Sequence, residues 1–144
     1  MSEEEFESKL LDLARVTRVT AGGRRFRFRA LVVVGDRKGR VGIGLSKAHD
    51  VSQAIEKAQK RAKRDLIQVP IKNETIPFEV ETKYKSAKIL LKPQKKGRGI
   101  IAGGVIRTIC ELAGINNITG KLLSKTNNKI NIARATLKAF RELK

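Results

Sequence analysis

A glycine-rich stretch flanked by cations is the part of this 144-residue chain whose residue types are best suited to binding phosphate. It reads GRGIIAGGV at residues 97–105, and Lys95, Lys96 and Arg98 lie in it or beside it. Glycines let a backbone approach phosphate oxygens closely, and a helix that follows such a loop presents its free amides to an anion. A phosphate bound here belongs either to a small nucleotide or to a nucleic-acid chain. The first case indicates an enzyme, and the second indicates a nucleic-acid-binding protein.

A nucleotide-binding enzyme is the first alternative. The glycines are spaced G-x-G-x-x-x-G, one residue off the dinucleotide fingerprint, which also needs an acid about twenty residues further on to hold the ribose. The only acids after Gly99 are Glu111, inside the following predicted helix, and Glu142, at the chain end. The phosphate-loop pattern G-x-x-x-x-G-K-[ST] is absent. The glycines also have a purely structural interpretation, in which they permit close packing of a helix against a strand.

Other catalytic chemistry finds few suitable residues. One histidine, His49, and one cysteine, Cys110, are too few for a zinc site. Cys110 lies beside the apolar stripe of a predicted helix, so we expect a buried, small hydrophobic residue. We therefore expect no enzymatic activity, no cofactor and no metal. The single cysteine also favours a reducing compartment such as the cytosol.

Net charge is the dominant property of the chain. It has 32 lysines and arginines against 14 acids, for a net charge of +18. Such an excess repels itself unless a polyanion neutralises it. Aromatic residues make up only 4% of the chain and no long apolar run exists, so we expect no membrane partner. Nucleic acid is the expected partner. A free DNA-binding protein is the second alternative, although no helix-turn-helix, zinc-finger or zipper pattern is visible.

Hydrophobic periodicity predicts an acidic, locally helical arm at residues 1–14 and a first module at residues 15–70. The first module has three strands, with turns at TAGGRR and GDRKG, followed by a helix that His49 or Asp50 caps. This β-β-β-α order places the helix over the apolar face of the sheet. In the second strand the two faces are predicted to carry Phe26, Phe28, Ala30, Val32 and Val34 inward, and Arg25, Arg27 and Arg29 outward.

The second module, at residues 71–144, is predicted to have the order β-β-α-β-α. Its first two strands are marked by the alternating residues Ile76, Phe78 and Val80, and Ala87, Ile89 and Leu91. A helix starts at about Ile101 and stops at Gly114, and NITGKLLSK forms a short strand. Asn127 or Asn128 caps the last helix. The chain is therefore predicted to be an α+β protein of two small two-layer modules, whose two small cores lean on each other or on a partner for stability.

Three basic clusters are the candidate RNA contacts. The hairpin contributes Arg15, Arg18, Gly22, Gly23, Arg24, Arg25, Arg27 and Arg29; the first helix contributes Lys57, Lys60, Arg61 and Arg64; the glycine loop contributes Lys95, Lys96 and Arg98. We expect the hairpin to enter a groove or junction in RNA, although a solvated charged face is the alternative. Few aromatic residues lie among these cations, so we expect contacts with phosphates, sugars and the shape of structured RNA.

Two long segments resemble a known family. VVVGDRKGRVGIGLSKA with the following VSQAIEKAQKRAKRDL, and later GRGIIAGGVIRTICELAGINN, resemble the family of protein five of the bacterial-type small ribosomal subunit. The resemblance runs from about Arg15 to Leu143, in the same order and spacing. It implies an N-terminal domain similar to double-stranded-RNA-binding domains and a C-terminal α/β domain with a left-handed crossover.

The resemblance also implies a function and a set of partners. It implies a structural role in the cytoplasmic small ribosomal subunit, bound to small-subunit rRNA beside ribosomal proteins four and eight. Protein three and the channel through which mRNA enters would lie nearby, with effects on assembly, mRNA unwinding and decoding accuracy. Positions linked to spectinomycin in the family match Thr17, Arg18, Gly22, Gly23 and Arg24. A protein interface matches Gly99, Gly103, Gly104 and Arg107, and within it the positions linked to accuracy match Gly99 and Arg107. Ala21 replaces a lysine of some relatives.

Overall fold

The computed structural model describes residues 6–143, with the backbone alone at residues 18–20, 24 and 25. Over this range it has two four-stranded sheets, ordered β1-β2-β3-β4 and β5-β6-β8-β7. The strands are β1 (Glu7–Thr20), β2 (Gly23–Gly35), β3 (Arg40–Ala48), β4 (Ile67–Gln68), β5 (Val80–Tyr84), β6 (Ala87–Pro93), β7 (Ile100–Ile101) and β8 (Ile118–Leu122). The helices are α1 (Val51–Arg64), α2 (Gly104–Ala113) and α3 (Lys129–Arg141), and none of these is long and apolar enough to cross a membrane. The predicted α+β class is confirmed.

Both faces of the first sheet are apolar, because β2 is buried on both sides. Ala30, Val32 and Val34 face α1, whereas Leu31 and Val33 face the second module. Such a run of apolar residues is typical of a strand covered on two faces. The expectation of one apolar face and one arginine face therefore holds only for the first half of β2.

Helix α1 packs very closely on the first sheet. Asp50 caps it by accepting hydrogen bonds from the amides of Ser52 and Gln53, at 2.7 and 3.3 Å. Its buried side is a stripe of small residues, Ala54, Ala58 and Ala62. A Cβ built on Gly44 would overlap the carbonyl oxygen of Ala58, and one on Gly42 would overlap that of Ala62. The glycines of β3 and the alanines of α1 thus let two backbones nearly touch.

The second sheet is covered by α2 and α3 on one face. Ala87, Ile89 and Leu91 of β6 are fully buried beneath these helices. Helix α2 ends at Gly114, which takes the left-handed φ of 92° as predicted. Asn128 caps α3 by accepting hydrogen bonds from the amides of Ile130 and Asn131.

One buried cluster spans both modules, and a second, smaller cluster lies between the first sheet and α1, so the two modules lean on each other. Leu31, Val33 and Val41 of the first sheet belong to the same buried cluster as Leu112 of α2 and Phe140 of α3. At the junction, the amides of Arg37 and Gly39 donate to the last carbonyls of α2, those of Leu112 and Ala113, at 2.9 Å each. The turn between β2 and β3 thereby caps the C-terminus of α2.

Three element boundaries differ from the predictions. Residues 7–14 are strand β1, paired with β2, because tertiary pairing outweighs the helix propensity of glutamate and leucine; residues 1–5 of the predicted arm lie outside the described range. Strand β5 begins only at Val80, because the chain bends at Pro77 and Phe78 and proline has no amide to donate to a ladder. Ile101 lies in β7, paired with Thr119, and not in a helix.

Phe26 lies on the face of β2 that the sequence pattern predicts, but it is exposed and not buried. It lies 43% exposed, although alternation along β2 predicts an inward side chain. Strand β3 pairs with β2 only from Phe28 onward, so the part of β2 nearer the turn has no neighbour on that side. The alternation correctly predicts the face of the sheet, but α1 does not extend far enough to cover it.

Candidate nucleic-acid interface

The β1–β2 hairpin forms a two-stranded ribbon that extends beyond the rest of the first sheet. Its pairing runs from Glu7 opposite Gly35 to Thr20 opposite Gly23, whereas β3 accompanies β2 only as far as Phe28. Gly23 has a φ of 131° at the turn, a conformation that favours glycine. The predicted hairpin is therefore present, and its outer part is a two-stranded projection.

The ribbon is strongly basic. Its cations are Arg15, Arg18, Arg24, Arg25, Arg27 and Arg29, and no acid lies between Leu13 and Gly35. The backbone register sets Arg18 opposite Arg25. The side chains of Arg18, Arg24 and Arg25 lie outside the described residues. A run of six arginines without an acid attracts polyanions.

The described side chains of the ribbon are accessible to a partner. Arg15, Thr17 and Arg27 are exposed, and Arg29 is half-buried. The guanidinium of Arg15 lies 4.6 Å from the centre of the exposed Phe26 ring, within cation–π range. Gly22 and Gly23 are exposed at the tip, where a Cβ would meet no atom within 4 Å.

The predicted cations of α1 lie on its solvent side. Lys57, Lys60, Arg61 and Arg64 are all exposed, because the alanine stripe occupies the side facing the sheet. Lys60 forms a weak ion pair with Glu56 at 3.9 Å. Arg61 donates a hydrogen bond of 2.8 Å to the carbonyl of Leu45, so its guanidinium is held against β3.

The glycine loop is held by one buried side chain. Asn117, 3% exposed, accepts hydrogen bonds through its Oδ1 from the amides of Gly97 and Gly99, at 3.1 and 2.9 Å. These glycines have φ angles of 95° and 76°. Two amides that a nucleotide loop would offer to phosphate are thus already satisfied. This arrangement gives the nucleotide-enzyme alternative no support.

The packing interpretation of the same glycines is wrong. A Cβ built on Gly97, Gly99, Gly103 or Gly104 would meet no atom within 4 Å. Three of these positions have a positive φ that favours glycine, whereas Gly103 has a φ of −89° that any residue adopts. Nothing inside the described part of the chain requires glycine at residue 103.

The Asn117→Ala substitution is expected to lower the free energy of unfolding by about 2–3 kcal/mol, since two backbone donors lose their acceptor. Chemical denaturation of the purified protein measures this change. Asn116→Ala is the matched control, because Asn116 is the exposed neighbour of the same type, and we expect a change below about 0.5 kcal/mol. Equal effects of the two substitutions would contradict the anchoring role.

The cations of the glycine loop remain available to a partner. Lys95, Lys96 and Arg98 are exposed, and none of them forms an ion pair with a carboxylate of residues 6–143. Arg107, at the start of α2, is instead tied to Glu111 at 3.1 Å and to the carbonyl of Ile100 at 3.2 Å. The loop is therefore a free cationic surface beside a more constrained arginine.

The predicted RNA contacts fall into three separate parts of the fold, namely the ribbon, α1 and the glycine loop. Sequence reasoning missed Asn117 and the cations of α3, which are Arg134, Lys138 and Arg141. The spacing i, i+4, i+7 puts these three cations on one side of the helix, so the pattern was available in the sequence. They lie opposite Arg61 and Arg64 across a groove between the modules.

The described side chains offer no catalytic centre of the metal or thiol type. No group of three histidine, cysteine, aspartate or glutamate residues is arranged to hold a metal within residues 6–143. Cys110 is fully buried, as predicted, and burial raises the pKa of its thiol to about 12. A thiol with that pKa stays protonated at neutral pH and is a poor nucleophile.

Comparison with known families matches both modules. Residues 6–70 match the family described as "Ribosomal protein S5, N-terminal domain". Residues 82–144 match the family described as "Ribosomal protein S5, C-terminal domain". The two matches together cover almost the entire described chain, in the order that the fold has them.

Individual relatives agree with these matches. The chain is 51% identical, over its whole length and 88% of the relative, to "Small ribosomal subunit protein uS5" of Thermus thermophilus. It is 52% identical to the Campylobacter jejuni protein of the same name, over 99% of this chain and 97% of that protein. The protein of that name in Treponema pallidum is 50% identical, over 99% of this chain and 83% of the relative. The chain therefore belongs to the uS5 family of ribosomal proteins, which confirms the resemblance seen in its sequence.

Proposed function

We propose that this chain is a structural constituent of the small ribosomal subunit, bound to small-subunit rRNA and without catalytic activity. The observation that carries the proposal is the projecting β1–β2 ribbon, which has six arginines and no acid between Leu13 and Gly35. A net charge of +18 and the names of the relatives support the same conclusion.

The ribbon binds RNA mainly through phosphates in this proposal. Arginine forms charge-assisted, often bidentate, hydrogen bonds to phosphate oxygens. Exposed Gly22 and Gly23 leave room at the tip for a sugar-phosphate backbone to approach. The cations of α1 and of the glycine loop add further phosphate contacts. Such binding reads the shape of folded RNA and not its base sequence.

Protein neighbours are part of the proposal. The glycine loop, Gly103, Gly104 and Arg107 would form a contact with ribosomal protein four, with protein eight and protein three close by. The open space around Gly103, where the fold itself does not need glycine, supports a close approach by another chain. The proposal also includes contact with mRNA where it enters the ribosome. It further includes effects on assembly, mRNA unwinding and decoding accuracy, and a cytoplasmic location. The division of the chain into an arm at residues 1–14, a first domain at residues 15–70 and a second domain at residues 71–144 stays a prediction.

Replacing an arginine of the ribbon tests this function. We expect Arg24→Glu to weaken binding of the protein to small-subunit rRNA about tenfold or more, since a phosphate contact is lost and a repulsion is added. Filter binding at one salt concentration measures the dissociation constant, and reconstitution of small subunits from rRNA and purified proteins measures incorporation.

Lys72→Glu provides the matched control. Lys72 is exposed and lies outside the ribbon, α1 and the glycine loop. Its substitution by glutamate changes the net charge by the same amount as Arg24→Glu. We expect its affinity to stay within about threefold of the unmodified protein, because screened surface charges act weakly at a distance. An equal loss in both variants would show that only overall charge matters and would remove the ribbon from the interface.

A further inference from the structure

A basic groove of about 890 Å³ lies at the junction of the two modules. One side is the end of α1, with Arg61 and Arg64, and the other side is α3. The charged residues that line the groove are Arg61, Arg64, Asp65, Arg134, Lys138 and Arg141. Five cations thus face a single carboxylate across a concave surface.

Three of these cations are held in place by uncharged acceptors. Arg61 donates to the carbonyl of Leu45 at 2.8 Å, and Lys138 donates to the carbonyl of Lys83 at 2.9 Å. Arg134 donates to the hydroxyl of Tyr84 at 3.3 Å, and this hydrogen bond lowers the pKa of Tyr84. Hydrogen bonds of this kind orient a cation without neutralising it, so the groove keeps its full positive charge.

Seven cations outside the groove form ion pairs with carboxylates in the described part of the chain. Arg37 pairs with Glu7 at 2.9 Å, Arg40 with Asp36 at 2.9 Å and Lys88 with Glu81 at 3.3 Å; Lys9, Lys60, Lys92 and Arg107 also have carboxylate partners. No such pair involves a cation of the groove within residues 6–143. Positive charge left unpaired in a concave site focuses the electrostatic field and attracts anions.

We propose that this groove is a second RNA-binding site, which holds a strand of small-subunit rRNA by its phosphodiester backbone. The proposal rests on the proposed ribosomal function and extends the α1 surface, to which Arg61 and Arg64 belong, across the groove to α3. Arg134 and Arg141 are separated by seven residues, or about 10 Å along the helix, so one phosphate does not reach them all. A strand with one charge per nucleotide matches cations spread along two helices.

A free nucleotide is the competing source of phosphate, and the groove suits it less well. Nucleoside triphosphates usually bind together with Mg²⁺, which carboxylates hold. Asp65 is the only carboxylate lining the groove. Its shape and charge therefore favour a polyanionic strand, and the test below includes ATP to distinguish the two sources.

The first experiment removes two cations that no intramolecular bond requires. Arg64 and Arg141 are exposed, and neither has a hydrogen-bond or ion-pair partner through its side chain in the described part of the chain. The matched control is Lys63→Gln with Lys129→Gln, which removes the same charge from the same two helices outside the groove. Affinity of the full chain for small-subunit rRNA is measured at several salt concentrations, with thermal unfolding as a check of folding.

We expect Arg64→Gln with Arg141→Gln to reduce the slope of log affinity against log salt by about two, one for each lost phosphate contact. We expect the control to change the slope by less than half of that. Arg64 belongs also to the α1 surface of the proposed function, so the single variants Arg141→Gln and Lys129→Gln decide the groove proposal. We expect Arg141→Gln alone to reduce the slope by about one. Equal slopes of these two single variants would overturn the groove proposal while leaving the ribosomal function intact. A flat salt response of the unmodified protein would instead overturn the ribosomal function.

A second experiment uses chemical protection and does not depend on the double variant folding. Cys110 is fully buried, so Arg141→Cys introduces the only accessible thiol. We expect rRNA to slow its reaction with a water-soluble thiol reagent at least about fivefold, ATP to leave the rate unchanged, and Lys129→Cys to be unprotected by either. Protection by ATP, or no protection by rRNA, would overturn the proposal.

Discussion

The affinity of the intact protein for small-subunit rRNA is expected to fall about 10³–10⁵-fold between about 50 and 200 mM salt. This range corresponds to about six to ten phosphate contacts, each of which releases a counterion from the RNA. The ribbon alone carries six arginines, and the chain has a net charge of +18. Filter binding or calorimetry at four or more salt concentrations, at constant pH, gives the slope directly.

Competition with duplex DNA is the control for this measurement. A ribosomal constituent should prefer structured rRNA at every salt concentration, whereas a free DNA-binding protein would show no such preference. A flat salt response would mean that phosphate neutralisation does not drive binding. Equal competition by DNA would leave the electrostatic mechanism standing but remove the specific RNA partner.

The second large effect concerns folding. Gly44→Ala is expected to lower the free energy of unfolding by about 3 kcal/mol or more, because the added methyl group would overlap the carbonyl oxygen of Ala58. The overlap is with backbone, and a backbone inside a helix cannot rotate away as a side chain can. Urea denaturation followed by circular dichroism measures the change.

Gly22→Ala is the matched control for this prediction. A Cβ at Gly22 would meet no atom within 4 Å, and its φ is not in the left-handed region, so we expect a change below about 0.5 kcal/mol. If Gly44→Ala unfolded at the same urea concentration as Gly22→Ala, the close approach of α1 to β3 would be wrong.

Local signals in the sequence were sufficient for many elements of the fold. Asp50 caps α1 and Gly114 ends α2, because capping and positive φ depend on a few neighbouring residues. The burial of Cys110 followed from its place on an apolar helix side. These features need no knowledge of distant contacts, which explains why the sequence alone predicted them.

Features that depend on distant contacts were predicted less well. The exposure of Phe26 depends on where β3 stops, and the strand at residues 7–14 depends on pairing with β2. The second apolar face of the first sheet is explained only by α2 and α3, which come much later in the chain. Periodicity shows which side of a strand is apolar, but it does not show what covers that side.

The same contrast between local and distant contacts applies to the candidate RNA-binding residues. Runs of arginine in the ribbon and of lysine in α1 were visible as local clusters. Asn117 reaches the glycine loop from a position 18 residues beyond Gly99, so its role required the fold. The groove joins Arg64 and Arg141 from different modules, and no local pattern connects them.

One buried cluster joins Leu31 and Val41 of the first sheet to Leu112 and Phe140 of the second module, and this has a consequence for cooperativity. Cutting the chain between the modules would expose these side chains to water on both fragments, and each fragment would lose their hydrophobic stabilisation. The protein should therefore unfold in one all-or-none transition, with no half-folded intermediate in which one module persists alone. During synthesis, the first module would reach full stability only after the C-terminal helix has left the translating ribosome.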